Sequence, residues 1–197
     1  MATRGDFATD VEPLAGLMRD HVEILELVSA TIEAILAGLG AEGDAALAIV
    51  ALESVRDLAA YLAEDLVVHI AKEEDVLFPA LRGLADEMDK VVYEMVEQHD
   101  EVRLRKANIE RTLAALDHSH EEVEGAAQAL AGSLARAGSD APTAAVLADF
   151  LDGVKRLAWI LEGHFGDEEE DLFVPALELL SPETFGQLAT AADALNG

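Results

Sequence analysis

Cysteine is missing from all 197 residues. Its absence excludes disulfides, thiolate zinc sites, cysteine nucleophiles and Cys-ligated iron–sulfur clusters. Cations are scarce: 13 Lys and Arg stand against 40 Asp and Glu, a net charge of −27. Such a surface repels phosphate backbones and anionic bilayers, so neither nucleic acid nor a membrane is expected as a partner. Its plainest consequence is solubility. Aromatic residues make up only 5%. No apolar run reaches the roughly 18 residues of a membrane-spanning helix. Met1 to Asp10 carry no apolar stretch of the signal-peptide kind, so a cytoplasmic protein is the expectation.

Hydrophobic residues are abundant, at 51%, and Ala and Leu dominate among them. That mix suits helices packed closely through small side chains. The apolar residues recur with the helical period, and no stretch alternates as a strand would. The pattern predicts a helix from Asp10 to Gly38, with Pro13 in its first turn, and a second from Asp44 to Phe78, stopped or kinked by Pro79. A third is predicted from Asp86 to Leu116 and a fourth from just after Asp140-Ala141-Pro142 to about Phe173. A short helix is expected over 121–136, after the polar run Asp117, His118, Ser119, His120, and another from about 182 to 195 behind Ser181. Four long helices with short connections make an all-α, up-down-up-down bundle. One domain over 1–197 is expected, its core at about 10–180 and its C-terminal helix at 182–195.

An internal repeat carries the chemistry. His69, Glu73, Glu74, Leu77 and Phe78 align without a gap on His164, Glu168, Glu169, Leu172 and Phe173, and each block ends in Pro-Ala-Leu. Upstream, Leu17 to Ile24 matches Met95 to Val102, which pairs His21 with His99. Each half therefore reads His, then His-x-x-x-Glu. Residues four apart on a helix differ by roughly 40° and lie about 6 Å apart, so His69 faces with Glu73, and His164 with Glu168. Glu74 and Glu169 lie about 140° from those histidines, which turns them towards solvent or a neighbouring helix edge and makes them tolerant of substitution.

His21 and His99 sit on largely apolar stripes. Burying four imidazoles and two carboxylates costs several kcal/mol unless they are paired or bind cations. A lone buried histidine is commonly a hydrogen-bonded core residue, and a single His-x-x-x-Glu pair is commonly a surface ion pair. Their repetition on four helices favours metal. Imidazole and carboxylate without thiolate suit iron, manganese or zinc. The ferritin-type Glu-x-x-His pair is absent: Met18, Leu66, Val96 and Leu161 stand three residues before the histidines. No His-Glu-x-x-His zinc motif occurs either. His118 and His120 read as solvated, and Tyr61, Tyr93 and Trp159 as core or helix-edge residues.

From Leu14 to Leu177 the arrangement resembles the hemerythrin-like (HHE cation-binding) family, most specifically in the two blocks at His69 and His164. The resemblance implies a left-handed four-helix bundle holding two iron ions. His21 and His69 would bind one iron, His99 and His164 the other. Glu73 and Glu168 would bridge both, beside an oxo or hydroxo bridge. One position departs from the family's oxygen carriers, which have a further histidine where this chain has Arg103, a residue that cannot ligate a metal. Arg103 is read as a surface residue paired with an acid; the competing reading places it at the entrance of the site, attracting small polar ligands.

The implied function is a non-haem di-iron protein that binds or reacts with oxygen, peroxide or nitric oxide. The alternatives are an iron-holding or iron-delivery protein, and a peroxidase- or catalase-like enzyme that removes peroxide or nitric oxide. The expected partners are a small diatomic or peroxide ligand and, at most, a second copy in a weak homo-oligomer.

Overall fold

A computed structural model describes residues 9–41, 44–130 and 141–196, and over 115–130 it describes the backbone alone. All regular elements among these residues are helical, as the periodicity predicts. Helix α1 spans Leu14–Gly40, α2 Ala45–Ala71, α3 Phe78–Leu81, α4 Asp86–Leu130, α5 Ala144–Glu168, α6 Val174–Leu179 and α7 Pro182–Asp193.

Local chemistry sets most of the boundaries. Asp44 caps α2, accepting from the backbone N–H of Ala46 at 3.0 Å and of Leu47 at 3.4 Å. Thr143 caps α5 through Val146, and Ser181 caps α7 through Thr184. Gly83, with φ of 79°, follows α3 in the left-handed region that glycine enters without steric cost.

Three expectations need correction. α1 begins at Leu14, because Pro13 takes the N-cap position. It runs on to Gly40, since Gly38 is a packing position: a Cβ there would meet Leu147, Ala51 and the carbonyl of Leu47 at 3.2–3.3 Å. The separate short helix expected over 121–136 is, as far as Leu130, a continuation of α4. The run from Asp117 to His120 contains neither glycine nor proline. Polar residues of this kind cost at most about 0.7 kcal/mol each in helix propensity, too little to end a helix. Residues 131–136 lie outside the described residues.

Two wide π-type turns interrupt the bundle, at Lys72–Leu77 after α2 and at Glu169–Phe173 after α5. Their five-residue hydrogen bonds run from the N–H of Phe78 to the carbonyl of Glu73, and from Val174 to Glu169. Both donors immediately precede a proline, Pro79 or Pro175. Proline lacks the N–H for the ladder and its ring collides with the carbonyl four residues back, and a wider turn accommodates both. The wide turn shifts by one place between the halves, following the one-residue insertion before Pro175.

α1 packs on α2 and α5, and α4 packs on α5 and α2, so the long helices close into a ring. The apolar interior is split. One cluster joins Ile24, Leu66, Ile70, Val102, Leu161 and Phe165 with residues further along the four helices. The other joins Leu14, Leu17, Leu77, Phe78, Met95, Leu172 and Phe173. A polar layer lies between them.

Candidate metal centre

Each helix crosses from one apolar cluster to the other at a histidine. His21 falls between Leu17 and Ile24, His69 between Leu66 and Leu77, His99 between Met95 and Val102, and His164 between Leu161 and Leu172. All four histidines are at most 2% exposed, and Glu73 and Glu168 are fully buried. The six residues singled out in the sequence thus meet in one buried layer.

Their inward atoms converge. Nε2 of His69 lies 2.8 Å from Oε1 of Glu73, and Nε2 of His99 lies 3.0 Å from its Oε2. Nε2 of His21 is 3.3 Å from Oε2 of Glu168, and Nε2 of His164 is 3.9 Å from the same oxygen. The Nε2 atoms of His99 and His164 are 3.1 Å apart. Donor atoms of His21, His69, Glu73 and Glu168 all lie within 4.8 Å of one another, as do those of Glu73, His99 and His164. Glu73 belongs to both groups.

These approaches are close but most lack the alignment of hydrogen bonds. Nε2 of His21 and of His69, and both oxygens of Glu73 and of Glu168, have no hydrogen-bond partner. A buried polar atom left unsatisfied costs about 1–3 kcal/mol, more for a charged group. A cation among them would satisfy all of these atoms at once. The donor set is nitrogen and oxygen only, which fits iron as it fits manganese or zinc.

The outward ring nitrogens are all occupied. Nδ1 of His21 donates to Glu169 at 3.0 Å, His69 to Asp20 at 3.3 Å, His99 to Glu74 at 2.8 Å and His164 to Gln98 at 2.8 Å. Lys72 also holds Asp20, at 3.2 Å, and Arg103 holds Glu74, at 2.9 Å. A proton fixed on Nδ1 leaves the Nε2 lone pair directed inward, the tautomer that a metal needs.

These braces change the reading of Glu74 and Glu169. Both do reach a neighbouring helix, but each ends on a histidine of the centre. The repeat contains the signal that would have found them. Glu74 and Glu169 are equivalent positions, each bracing the upstream histidine of the opposite half. Asp20 and Gln98 are also equivalent, each bracing the downstream histidine of its own half.

Proton affinities follow from the crowding of charges. Burial lowers that of His21, but Glu168, Glu169 and Glu73 outweigh it and hold the ring well above its ordinary range. Against burial, Glu73 and Asp20 raise His69 to about 9. His99 is also raised, by Glu73 and Glu74 against its burial. His164 falls to about 3: burial and the charges of His99, His21 and His69 prevail over Glu73. Glu73, despite its burial, is held well below the carboxylate range by His69, His21 and His99. Burial and the charge of Glu73 push Glu168 up to about 7. Protons thus balance the carboxylates in the metal-free chain, and a bound cation would displace them.

Aromatic rings seal the layer. Phe165 stacks on His21 with centroids 3.9 Å apart, Phe173 lies on its other neighbourhood at 5.9 Å, and Phe78 stacks on His99 at 5.9 Å. Arg103 takes the surface role, bonding Asp100 at 3.0 Å as well as Glu74. Tyr93 and Trp159 are exposed and Tyr61 is half-buried. His118 and His120 lie outside the residues whose side chains are described.

A helical bundle with buried imidazoles and carboxylates converging on unsatisfied atoms defines a class of metal-binding protein. A family model described as hemerythrin HHE cation binding domain matches residues 12–136, and the chain belongs to that family. The matched span contains His21, His69, Glu73 and His99; the internal repeat extends the pattern to His164 and Glu168. No curated protein and no solved structure matched the chain. No helix among the described residues is long and apolar enough to cross a membrane.

Proposed function

We propose that the chain is a non-haem di-iron protein that reacts with oxygen, peroxide or nitric oxide. His21, His69, Glu73, His99, His164 and Glu168 hold the iron pair. The observation that carries this reading is the set of buried ring and carboxylate atoms without hydrogen-bond partners, facing one another inside a fully braced layer.

Bound iron supplies the redox chemistry that no side chain of this cysteine-free layer offers. The chain's own residues do the rest. Glu73, within reach of three histidines and common to both donor groups, would be the carboxylate shared between the ions. Asp20, Glu74, Glu169 and Gln98 keep each proton on Nδ1. Phe165, Phe173 and Phe78 pack on His21 and His99 and help to keep the buried layer dry. Four imidazole nitrogens and four carboxylate oxygens are the donors the layer would offer to the ions. Arg103, turned outward to Glu74 and Asp100, would add no ligand. One domain then serves one centre, since both halves of the repeat contribute to it.

Metal analysis after iron-replete expression, paired with a visible spectrum before and after oxygen and peroxide, tests the reading. Close to two irons per chain and near-ultraviolet bands that respond to the added ligand are expected. One zinc per chain and no iron would refute it.

A further inference from the structure

The two halves of the repeat brace their histidines by the same rule, with one exception. Asp20 precedes His21 and accepts from Nδ1 of His69; Gln98 precedes His99 and accepts from Nδ1 of His164. The equivalent acceptor is thus a carboxylate in one half and a neutral amide in the other. Glu168 repeats the imbalance: its Oε2 is 3.3 Å from Nε2 of His21 but 3.9 Å from Nε2 of His164. The donor groups differ accordingly. His21, His69, Glu73 and Glu168 form a set of four, while His99 and His164 converge with Glu73 alone.

A carboxylate on the outer nitrogen makes an imidazole a stronger donor than an amide does, and partners of this kind typically change metal affinity by about 10–100-fold. Both histidines of the first set carry a carboxylate, Glu169 and Asp20. In the second set His99 carries Glu74 and His164 carries Gln98; each set has one carboxylate paired with a cation, Asp20 with Lys72 and Glu74 with Arg103, so the sets differ at Gln98.

We propose that the two ion positions are unequal and fill in order. The position between His21 and His69 takes a divalent cation first and tightly. The position between His99 and His164 takes the second ion more weakly, so the pair assembles only when free metal is plentiful. Gln98 is the positioning residue that sets the gap. This inference rests on the two-ion reading above, and it predicts something that reading does not.

The test is anaerobic titration of the full chain with ferrous ion alone, followed by calorimetry. Wild type is expected to bind two ions in two resolved steps at least about tenfold apart. Gln98→Glu restores the carboxylate of the other half at a half-buried position, and should tighten the weaker step about tenfold while leaving the stronger one unchanged. Glu169→Gln should weaken the stronger step by about 10–100-fold. His164→Ala should keep the stronger step and lose the weaker. Two ions bound in wild type without resolved steps would overturn the ordering and leave the di-iron reading standing. So would a Gln98→Glu protein with an unchanged weaker step, or one whose stronger step moves instead. A wild-type chain that saturates at one ion overturns both.

Discussion

Glu74 is where the folded chain departs most usefully from helical arithmetic, and Glu74→Ala is the sharpest single test. The substitution removes the acceptor that holds Nδ1 of His99 at 2.8 Å and one partner of Arg103 at 2.9 Å. Loss of such a brace costs about 10–100-fold in metal affinity, or about 1.4–2.8 kcal/mol at 1.4 kcal/mol per tenfold. The metal-free fold should also be destabilised, because Nδ1 of the buried His99 loses its acceptor, at about 1–3 kcal/mol. The Arg103–Glu74 pair is partly exposed, at 45% and 27%, and pairs of this kind contribute at most about 1 kcal/mol. Arg103 also keeps Asp100. For a chain of this length the two losses together amount to roughly 2–16 °C in melting temperature. The assay is a pair of measurements on each protein: ferrous binding by equilibrium dialysis under nitrogen, and thermal unfolding after chelation. Binding weakened about 10–100-fold, in a metal-free chain that still unfolds cooperatively within that range, is the expected result. Wild-type affinity in Glu74→Ala would show that His99 needs no brace and that Glu74 is a spectator. A metal-free variant that melts below that range, or does not fold, would instead make its role structural.

Three further outcomes follow from the same geometry. Glu73→Ala or Glu168→Ala should lose at least one ion per chain by metal analysis, because each carboxylate lies in the layer with both oxygens otherwise unpartnered; retention of both ions refutes the shared-carboxylate role. Metal should stabilise the native chain, by about 2.7 kcal/mol at a hundredfold excess over the dissociation constant, and the benefit should grow with pH. His69 titrates near 9 in the metal-free fold against 6.5 unfolded, so the stability it contributes is full below 6.5 and lost as pH rises through 9. Metal binding meets less proton competition over that window, so melting curves with and without chelator should separate between pH 7 and 9; a gap that narrows refutes the charge balance. Finally, stopped-flow mixing of reduced protein with oxygen should show decay or turnover in the wild type, and Arg103→His, which places an imidazole one turn after His99, should lengthen the lifetime of the oxygen complex. A wild-type complex that persists reversibly for minutes would show that the residue at 103 does not set the outcome.

Periodicity and the repeat made the helices and the six inward residues legible, because both are short-range properties. A 3.6-residue period needs only one helix, and His-x-x-x-Glu needs only one turn. The braces were hidden for a different reason. Glu74 and His99 are 25 residues apart, and His21 and Glu169 are 148 apart, so their contacts exist only once the helices are docked. The end of α4 was misread because a polar run resembles a loop in composition while costing a helix little.

The wide turns join these two levels. The α-helical angle of 140° assumes an unbroken ladder, yet Glu74 lies inside a π-type turn and Glu169 begins one. The wide turn opens after Glu73 in one half and after Glu169 in the other, so Glu169 still stands on the regular ladder, its N–H donating to Phe165, and reaches His21 from about the 140° position. Pro79 and Pro175 set where each ladder widens, and the docking of the helices then brings the second glutamate of each pair to a histidine of the opposite half.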